Sequence, residues 1–330
     1  APATGDKPDF FVRKSIDSVL SLKAETHNFP TTVEPFNGAA TGTGGEIRDR
    51  MAGGRASVPL AGTAVYMTSY PRTAADRPWE QHSAARPWLY QTPRQILTKA
   101  SNGASDFGNK FGQPLICGSV LTFEHEGKAD EPTYGFDKVI MLAGGVGYAR
   151  RSDAQKGTPE PGEEVVLLGG DNYRIGMGGG AVSSVNTGQY AGAIELNAVQ
   201  RSNPEMQKRV ENVIRTLSES EDNPIISIHD HGAGGHLNCL SELVETTGGH
   251  FDLSAFPIGD ETLSSKEIIG NESQERMGLL VKGDAVERIA RIAERERAPM
   301  YVVGRTTDDM HLTFEDADGS KPIDLALSDM

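Results

Sequence analysis

Residues 23–49 read K-A-E-T-H-N-F-P-T-T-V-E-P-F-N-G-A-A-T-G-T-G-G-E-I-R-D. A lysine, an acid and a histidine share one short segment, followed by a glycine-rich stretch and a Glu-Ile-Arg-Asp cluster. The preceding residues 15–24, S-I-D-S-V-L-S-L-K-A, alternate as a strand does, and a period of two puts Lys23, Glu25 and His27 on one face at its C-terminal end. Lysine, carboxylates and arginine together are the residue types that hold phosphate and magnesium. The glycines of G-A-A-T-G-T-G-G (38–45) read as a turn that lets backbone N–H groups approach an anion. No Gly-Lys-Ser/Thr follows, so this is not a P-loop, and no strand leads directly into it as a dinucleotide fingerprint requires. A glycine-rich stretch alone is commonly only a turn; the flanking Glu25, Glu46, Arg48 and Asp49 tilt this one toward a site.

The chain around this segment has 330 residues, enough for two domains. The polar run 149–163, with two prolines and two glycines, reads as the linker between 1–150 and 151–330. Strands are expected over 61–70, 114–123, 137–147, 164–170, 224–230, 276–282, 300–305 and 311–315. Helices are expected from Pro93 under a Thr92 cap, from Asn203-Pro204 to about Ser220, over L-N-C-L-S-E-L-V-E, and over 285–297. Interleaved elements of both kinds give an α/β (α+β) class with two lobes. A net charge of −14 argues against a nucleic-acid partner, and no apolar run is long enough to span a membrane. The N-terminus carries neither a signal pattern nor an initiator methionine and reads as a processed or excised piece. Cys117 and Cys239 lie in apolar runs and are expected to be buried free thiols in a reducing, cytoplasmic setting.

Other candidates carry bland readings beside the functional ones. The cluster 169–180, G-G-D-N-Y-R-I-G-M-G-G-G, offers Arg174 and backbone amides to a phosphate, or packs tightly between layers. His229 and His231 flank Asp230, but no third ligand stands at zinc spacing, and Asp230 at a strand end suits magnesium better. His82, His125, His250 and His311 are expected to face solvent. N-E-S-Q-E-R-M (271–277) is a polar turn, or a set of side chains for a ligand rich in amides and hydroxyls.

In this order, K-A-E-T-H-N-F-P, G-A-A-T-G-T-G-G-E-I-R-D, I-M-L-A-G-G-V-G, A-V-Q-R-S-N-P-E-M, H-D-H-G-A-G-G and N-E-S-Q-E-R resemble the phosphoribosylformylglycinamidine synthase family, in its large multidomain form. The resemblance runs from about residue 21 to about 325 and covers the first half of the family's synthase portion. It implies a two-lobed half of the aminoimidazole ribonucleotide synthetase-like fold, and an enzyme converting formylglycinamide ribonucleotide, glutamine and ATP to the amidine through an iminophosphate. A segment before the first motif, the second half and the glutaminase domain that supplies ammonia are expected to lie outside the sequence. The isolated chain is accordingly expected to lack turnover and to pair as a homodimer that mimics the internal pseudo-dimer.

Matched position by position, the resemblance makes His27 the catalytic histidine. Thr26, His27, Asn28 and Phe29 become the substrate tetrad, with Phe29 standing where the family often has a second histidine. Arg48, Gln200, Glu272, Ser273 and Gln274 match substrate contacts. Lys23 matches an ATP-contacting lysine, and Glu25, Asp49 and Asp230 match magnesium ligands. Gly38, Ala39, Ala40, Thr41, Gly42, Thr43, Gly44 and Gly45 match a nucleotide-associated segment, catalytic or structural. Gly118, Ser119 and Val120 match a further nucleotide contact. A sibling ATP-dependent synthetase or kinase of the same fold, or a non-catalytic structural half, are the alternatives.

Overall fold

A computed structural model describes residues 13, 15–85, 90–200 and 202–330; the N-terminal stretch 1–9 and Arg201 of the A-V-Q-R-S-N-P-E-M motif lie outside the described residues. The first part of the chain is built on a four-stranded sheet. Its elements are β1 (Ser18–Thr26), α1 (Asn28–Val33), α2 (Pro35–Met51), β2 (Val58–Thr68), α3 (Pro93–Phe111), β3 (Leu115–Thr122), the short pair β4 (Glu124–His125) and β5 (Tyr134–Gly135), and β6 (Ile140–Arg150). The order across the sheet is β1-β6-β2-β3, with only β2 and β3 parallel.

The second part adds β7 (Glu164–Leu168), α4 (Gly179–Ser183), α5 (Gly192–Asn197), α6 (Pro204–Glu219), β8 (Ile225–Asp230) and α7 (Gly235–Leu243). After these come β9 (Gly249–Asp252), α8 (Ser265–Gly270), β10 (Met277–Val281), α9 (Val286–Glu296), β11 (Met300–Thr306), β12 (His311–Glu315) and β13 (Ile323–Ala326). They form a seven-stranded, mainly antiparallel sheet ordered β13-β12-β9-β11-β7-β10-β8. The class is mixed α and β, as the interleaved patterns predict.

The glycine-rich stretch is the main departure from the sequence reading. Gly38–Gly45 form the interior of helix α2, and their N–H groups serve the helix rather than a turn around an anion. Four glycines in one helix contradict propensity, and burial overrides it: Ala39, Ala40, Ile47 and Met51 of α2 are each at most 1% exposed. The signal was in the spacing. Gly38, Gly42, Gly45 and Asp49 fall at i, i+4, i+7 and i+11, one face of a 3.6-residue helix. That face has to be smooth. A Cβ on Gly45 would sit 2.5 Å from Glu25 Oε1, and one on Gly38 would enter the backbone of Pro30 and Thr31. Pro35 at the first turn starts the helix without wasting a donor.

One hydrophobic core joins both parts, with Ile47, Met51, Phe107 and Phe111 packed together with Leu168, Val210, Ile214 and Met277. A second polar bracket fixes α2 to its own sheet. Glu46 and Arg50 pair at 2.7 Å in full burial, Gln113 Nε2 donates to Glu46 at 2.5 Å, and Arg50 donates to the carbonyls of Ala61 and Val146. Glu46, a site candidate by position, is thus part of this bracket.

Two further expectations change. Cys239 is a buried free thiol, but Cys117 is exposed, because β3 is an edge strand whose residues from Ile116 to Leu121 are all open on both faces. Residues 271–277 are no surface turn: Glu272 and Ser273 are 2% and 0% exposed. His250 is half-exposed and pairs with Glu315 at 3.0 Å.

Gly38→Ala separates propensity from packing. Propensity alone gains about 1 kcal/mol from this change, whereas overpacking against the Pro30 backbone costs about 1–3 kcal/mol. Urea unfolding is expected to show net destabilisation; a stabilised variant would refute the close approach.

Candidate functional site

Strand β1 and helix α2 meet edge-on at the C-terminal end of β1. Alternation along β1 turns Lys23 and Glu25 inward and leaves Leu20, Leu22 and Ala24 outward. The helix then brings Arg48 and Asp49 opposite them, and β8 ends at Asp230 on the far side. These side chains line a cavity of about 580 Å³ together with Thr26, His27, Asn28, Phe29, Gly45, Gln200 and Gln274.

His27 precedes α1 and is held on three sides. Its N–H donates to the Met141 carbonyl at 3.0 Å, its carbonyl accepts from Thr31 Oγ1 at 2.5 Å, and its Nδ1 lies 2.6 Å from the Gly38 carbonyl. Burial pushes the imidazole down to about 4, with the Arg48 charge adding to it against the Gly38 carbonyl's pull. The ring is therefore neutral at pH 7. A carbonyl only accepts, so Nδ1 carries the proton and Nε2 presents a lone pair. Nε2 is buried and makes no hydrogen bond of good geometry, with the Gln200 side chain close enough to pull weakly on the ring.

The acids beside it crowd one another. Lys23 Nζ pairs with Asp49 Oδ2 at 2.8 Å. Glu25 shares a hydrogen bond with Asp49, and Asp49 with Asp230. Burial, then the hydrogen bond and the charge of Asp49, push Glu25 up to about 9; burial and the Asp49 charge push Asp230 up to about 7. Burial would raise Asp49 too, but bonds from Glu25 and Lys23 outweigh it and hold its carboxyl low. Among the described residues no three His, Cys, Asp or Glu side chains stand in ready metal-ligating geometry. The three carboxylates nonetheless share protons in a buried cluster, the electrostatic condition a divalent cation relieves.

Arg48 is 2% exposed and donates to Gln207 Oε1 at 2.7 Å and Gln274 Oε1 at 2.6 Å, with Nε 3.8 Å from Asp230. Both ends of its fork thus tie α2 to α6 and to the segment before β10. Gln200 Nε2 donates to Glu272 at 2.6 Å, and Glu272 also accepts the N–H groups of Gly180 and Gly234 at 3.1 Å. Glu272 and Ser273 stand behind the cavity wall rather than in it. Of the glycine segment only Gly45 reaches the cavity. Gly118, Ser119 and Val120 line a separate groove of about 410 Å³ between β3 and α3. Arg174 is bound to Glu267 at 2.9 Å and Asp260 at 3.4 Å, which takes it away from a phosphate role.

Several lining groups escaped the sequence reading. Lys138, before β6, and Glu242, on α7, both reach the cavity, and Glu242 pairs with His229 Nε2. Neither belongs to a motif. His236 is also missed: it is fully buried, 2.8 Å from His231 and 3.0 Å from Asn172, whose Oδ1 also accepts from Asn271 and Arg276. This network braces the strand end that carries Asp230.

Residues 160–317 match the model of the AIR synthase related protein, C-terminal domain. The Homo sapiens phosphoribosylformylglycinamidine synthase is 43% identical over 318 residues, 96% of this chain and 24% of that protein. The chain spans about a fifth to a quarter of the length of the curated relatives it matches. Among solved structures, Thermotoga maritima PurL complexed with FGAR superposes with a TM-score of 0.76 at 24% identity, over 95% of this chain and 46% of that one. The same protein complexed with ATP superposes with a TM-score of 0.71 at 22% identity, over 95% and 45%. These likenesses establish the aminoimidazole ribonucleotide synthetase-like fold.

Burial and the nearby Arg276 charge push His236 well below the ordinary histidine range. The unfolded chain takes up a proton as pH falls through about 6.5 and the folded chain does not, so the stability held above that pH is lost as pH falls. Unfolding midpoints are expected to drop from pH 7 to pH 5, with a shallower drop in His236→Asn; equal slopes would contradict this.

Proposed function

We infer that this chain, a relative of phosphoribosylformylglycinamidine synthase, supplies a catalytic half of an ATP-dependent carbon–nitrogen ligase. The reaction is conversion of formylglycinamide ribonucleotide, glutamine and ATP to the formylglycinamidine ribonucleotide, ADP, phosphate and glutamate. One observation carries the reading: a neutral histidine with an unpartnered Nε2 shares a cavity with a lysine and three crowded carboxylates. Neighbours of the same fold complexed with FGAR and with ATP support the choice of ligands.

The chemistry follows from the residue types. ATP phosphorylates the substrate's amide oxygen, and ammonia then displaces phosphate from the iminophosphate. His27 Nε2, as a lone-pair acceptor, takes the proton that the nitrogen must lose. Its fixed Nδ1 bond to Gly38 keeps that lone pair aimed into the cavity. Glu25, Asp49 and Asp230 would hold magnesium, which when bound supplies charge neutralisation at phosphate oxygens. Lys23, anchored on Asp49, would offer its ammonium to a nucleotide phosphate. Thr26, Asn28, Phe29, Gln200 and Gln274 shape the substrate wall, while Arg48 and Glu272 hold that wall in place. Ammonia comes from a glutaminase partner. We assign the reaction to the cytoplasm.

A surface accompanies this site. Leu20 and Leu22 on β1 are 75% and 76% exposed, and Ile116 and Val120 on β3 are 63% and 54% exposed. Apolar sheet surface of this kind seeks a cover, and a second copy of the chain, in the manner of a pseudo-dimer, is the cover we propose.

In the intact enzyme that contains this chain, His27→Ala is expected to lower turnover by roughly 10²-fold or more, measured as phosphate release dependent on formylglycinamide ribonucleotide. A near-normal rate removes His27 from the chemistry. Sedimentation of the chain at micromolar concentration is expected to show a dimer that Leu20→Glu with Leu22→Glu converts to monomer; a wild-type monomer refutes the surface assignment.

A further inference from the structure

A hollow of about 350 Å³ lies on the seam between the two parts of the chain, away from the His27 cavity. Strand register places it. β8 pairs with β10 antiparallel, Asp230 facing Met277 at one end and Ile225 facing Val281 at the other. The hollow opens at the second end, between Asn223 and Pro224 before β8 and Lys282 and Asp284 after β10. At the usual rise per residue, about 17 Å of strand separates it from Asp230.

Three cations line it: Arg55, which follows α2, Lys282, and Arg288 in the first turn of α9. Arg55 Nε donates to the Ile225 carbonyl at 2.6 Å and its Nη2 to the Asn223 carbonyl. Asn223 Nδ2 donates back to the Arg55 carbonyl at 2.9 Å. Arg288 donates to the Asp222 carbonyl at 3.2 Å and to Ser220 Oγ at 3.1 Å. These acceptors are neutral, so they fix the two guanidiniums without cancelling their charge. A guanidinium has five N–H donors, and both keep some to offer. Among the described residues Lys282 Nζ has no ion pair.

The nearby acids answer these charges only in part. Asp153 stands 3.5 Å from Arg55. Asp222 is 3.9 Å from Arg288 with its side chain 93% exposed, and Asp284 is exposed as well, so solvent screens both. On a chain of net charge −14 the overall field repels anions, and a local set of cations is what can hold one. Planar guanidiniums beside an ammonium match the oxygens of a phosphate. Pro224, Ile226 and Ala285 give the hollow an apolar side, which suits the body of a phosphate ester.

We propose that this hollow binds a phosphate group, free or as a small monoester, held by Lys282 and Arg288 of the second part and by Arg55 of the first. The site is separate from the catalytic cavity and independent of the functional reading above.

Equilibrium dialysis of inorganic phosphate and of AMP against the intact enzyme that contains this chain, at constant ionic strength, tests it. Lys282 anchors no other side chain, so Lys282→Gln is expected to keep the wild-type unfolding midpoint. It is expected to weaken phosphate retention roughly 10-fold, the worth of one charge-assisted hydrogen bond. Lys282→Arg retains most of the affinity. Arg291→Gln, which removes the same charge from α9 beyond the hollow, leaves retention unchanged. If Lys282→Gln weakens both probes, tighter binding of AMP assigns the site to an ester seated on the apolar side, and equal binding assigns it to free phosphate. Equal retention by wild type and Lys282→Gln overturns the site, as does an equal loss in Arg291→Gln or no retention by wild type.

Discussion

The structure depends on one close approach, that of helix α2 to strand β1 and helix α1. Side-chain-free positions at Gly38 and Gly45 let the helix lie against the Pro30–Thr31 backbone and against Glu25. The same approach sets Asp49 beside Lys23 and puts the Gly38 carbonyl under His27. The helix then reaches across to the second part of the chain through Arg48, whose fork holds Gln207 and Gln274. A glycine-bearing helix is intrinsically weak; here it is built into the core on its other faces by Ile47 and Met51. The glycines of this stretch thus act by what they omit, and the charged residues around them act by what they touch.

The electrostatics of the site follow from that geometry. Three carboxylates come together in burial, which raises Glu25 and Asp230, and two cations answer them, Lys23 paired with Asp49 and Arg48 beside Asp230. Such an arrangement is costly in the free protein. It is a reserve of unfavourable charge that the proposed cation would discharge. A few residues away the same burial acts on His27 in the opposite sense, lowering its proton affinity and keeping Nε2 unprotonated. One low-dielectric corner therefore holds both a crowded acid cluster and a neutral imidazole, the two groups the proposed function assigns to a cation and a proton.

The sequence disclosed the strands and the amphipathic helices well, because each has a clear period. The cap and proline of α3, the Asn203 cap of α6 and the apolar runs of β7, β8 and β10 all read directly. At 38–45 the glycine content suggests turn chemistry, whereas the i, i+4, i+7 spacing is that of the helix the segment forms. Residues that act through position in space were illegible. Lys138, Glu242 and His236 belong to no local pattern and become meaningful only when β6, α7 and the Asn172 loop are brought together. Glu272 and Ser273, matched to substrate contacts by resemblance, lie in a polar cluster whose depth in the fold no local pattern discloses. Their backbone course buries them behind Gln200 and Gln274, and Glu272 serves to tie two glycine segments together.

Strand β1 has two faces with different tasks. Lys23 and Glu25 point into the cavity, and Leu20 and Leu22 point away from it, a single strand's thickness apart. Whatever settles on the leucines stiffens the backbone that aims the lysine and the acid. Linkage is reciprocal: if assembly favours the ligand-ready strand, ligand favours assembly by the same factor. The apparent affinity for nucleotide and cation then becomes a function of protein concentration, and a dilute sample reports a weaker site than a concentrated one with no change in any residue that touches the ligand.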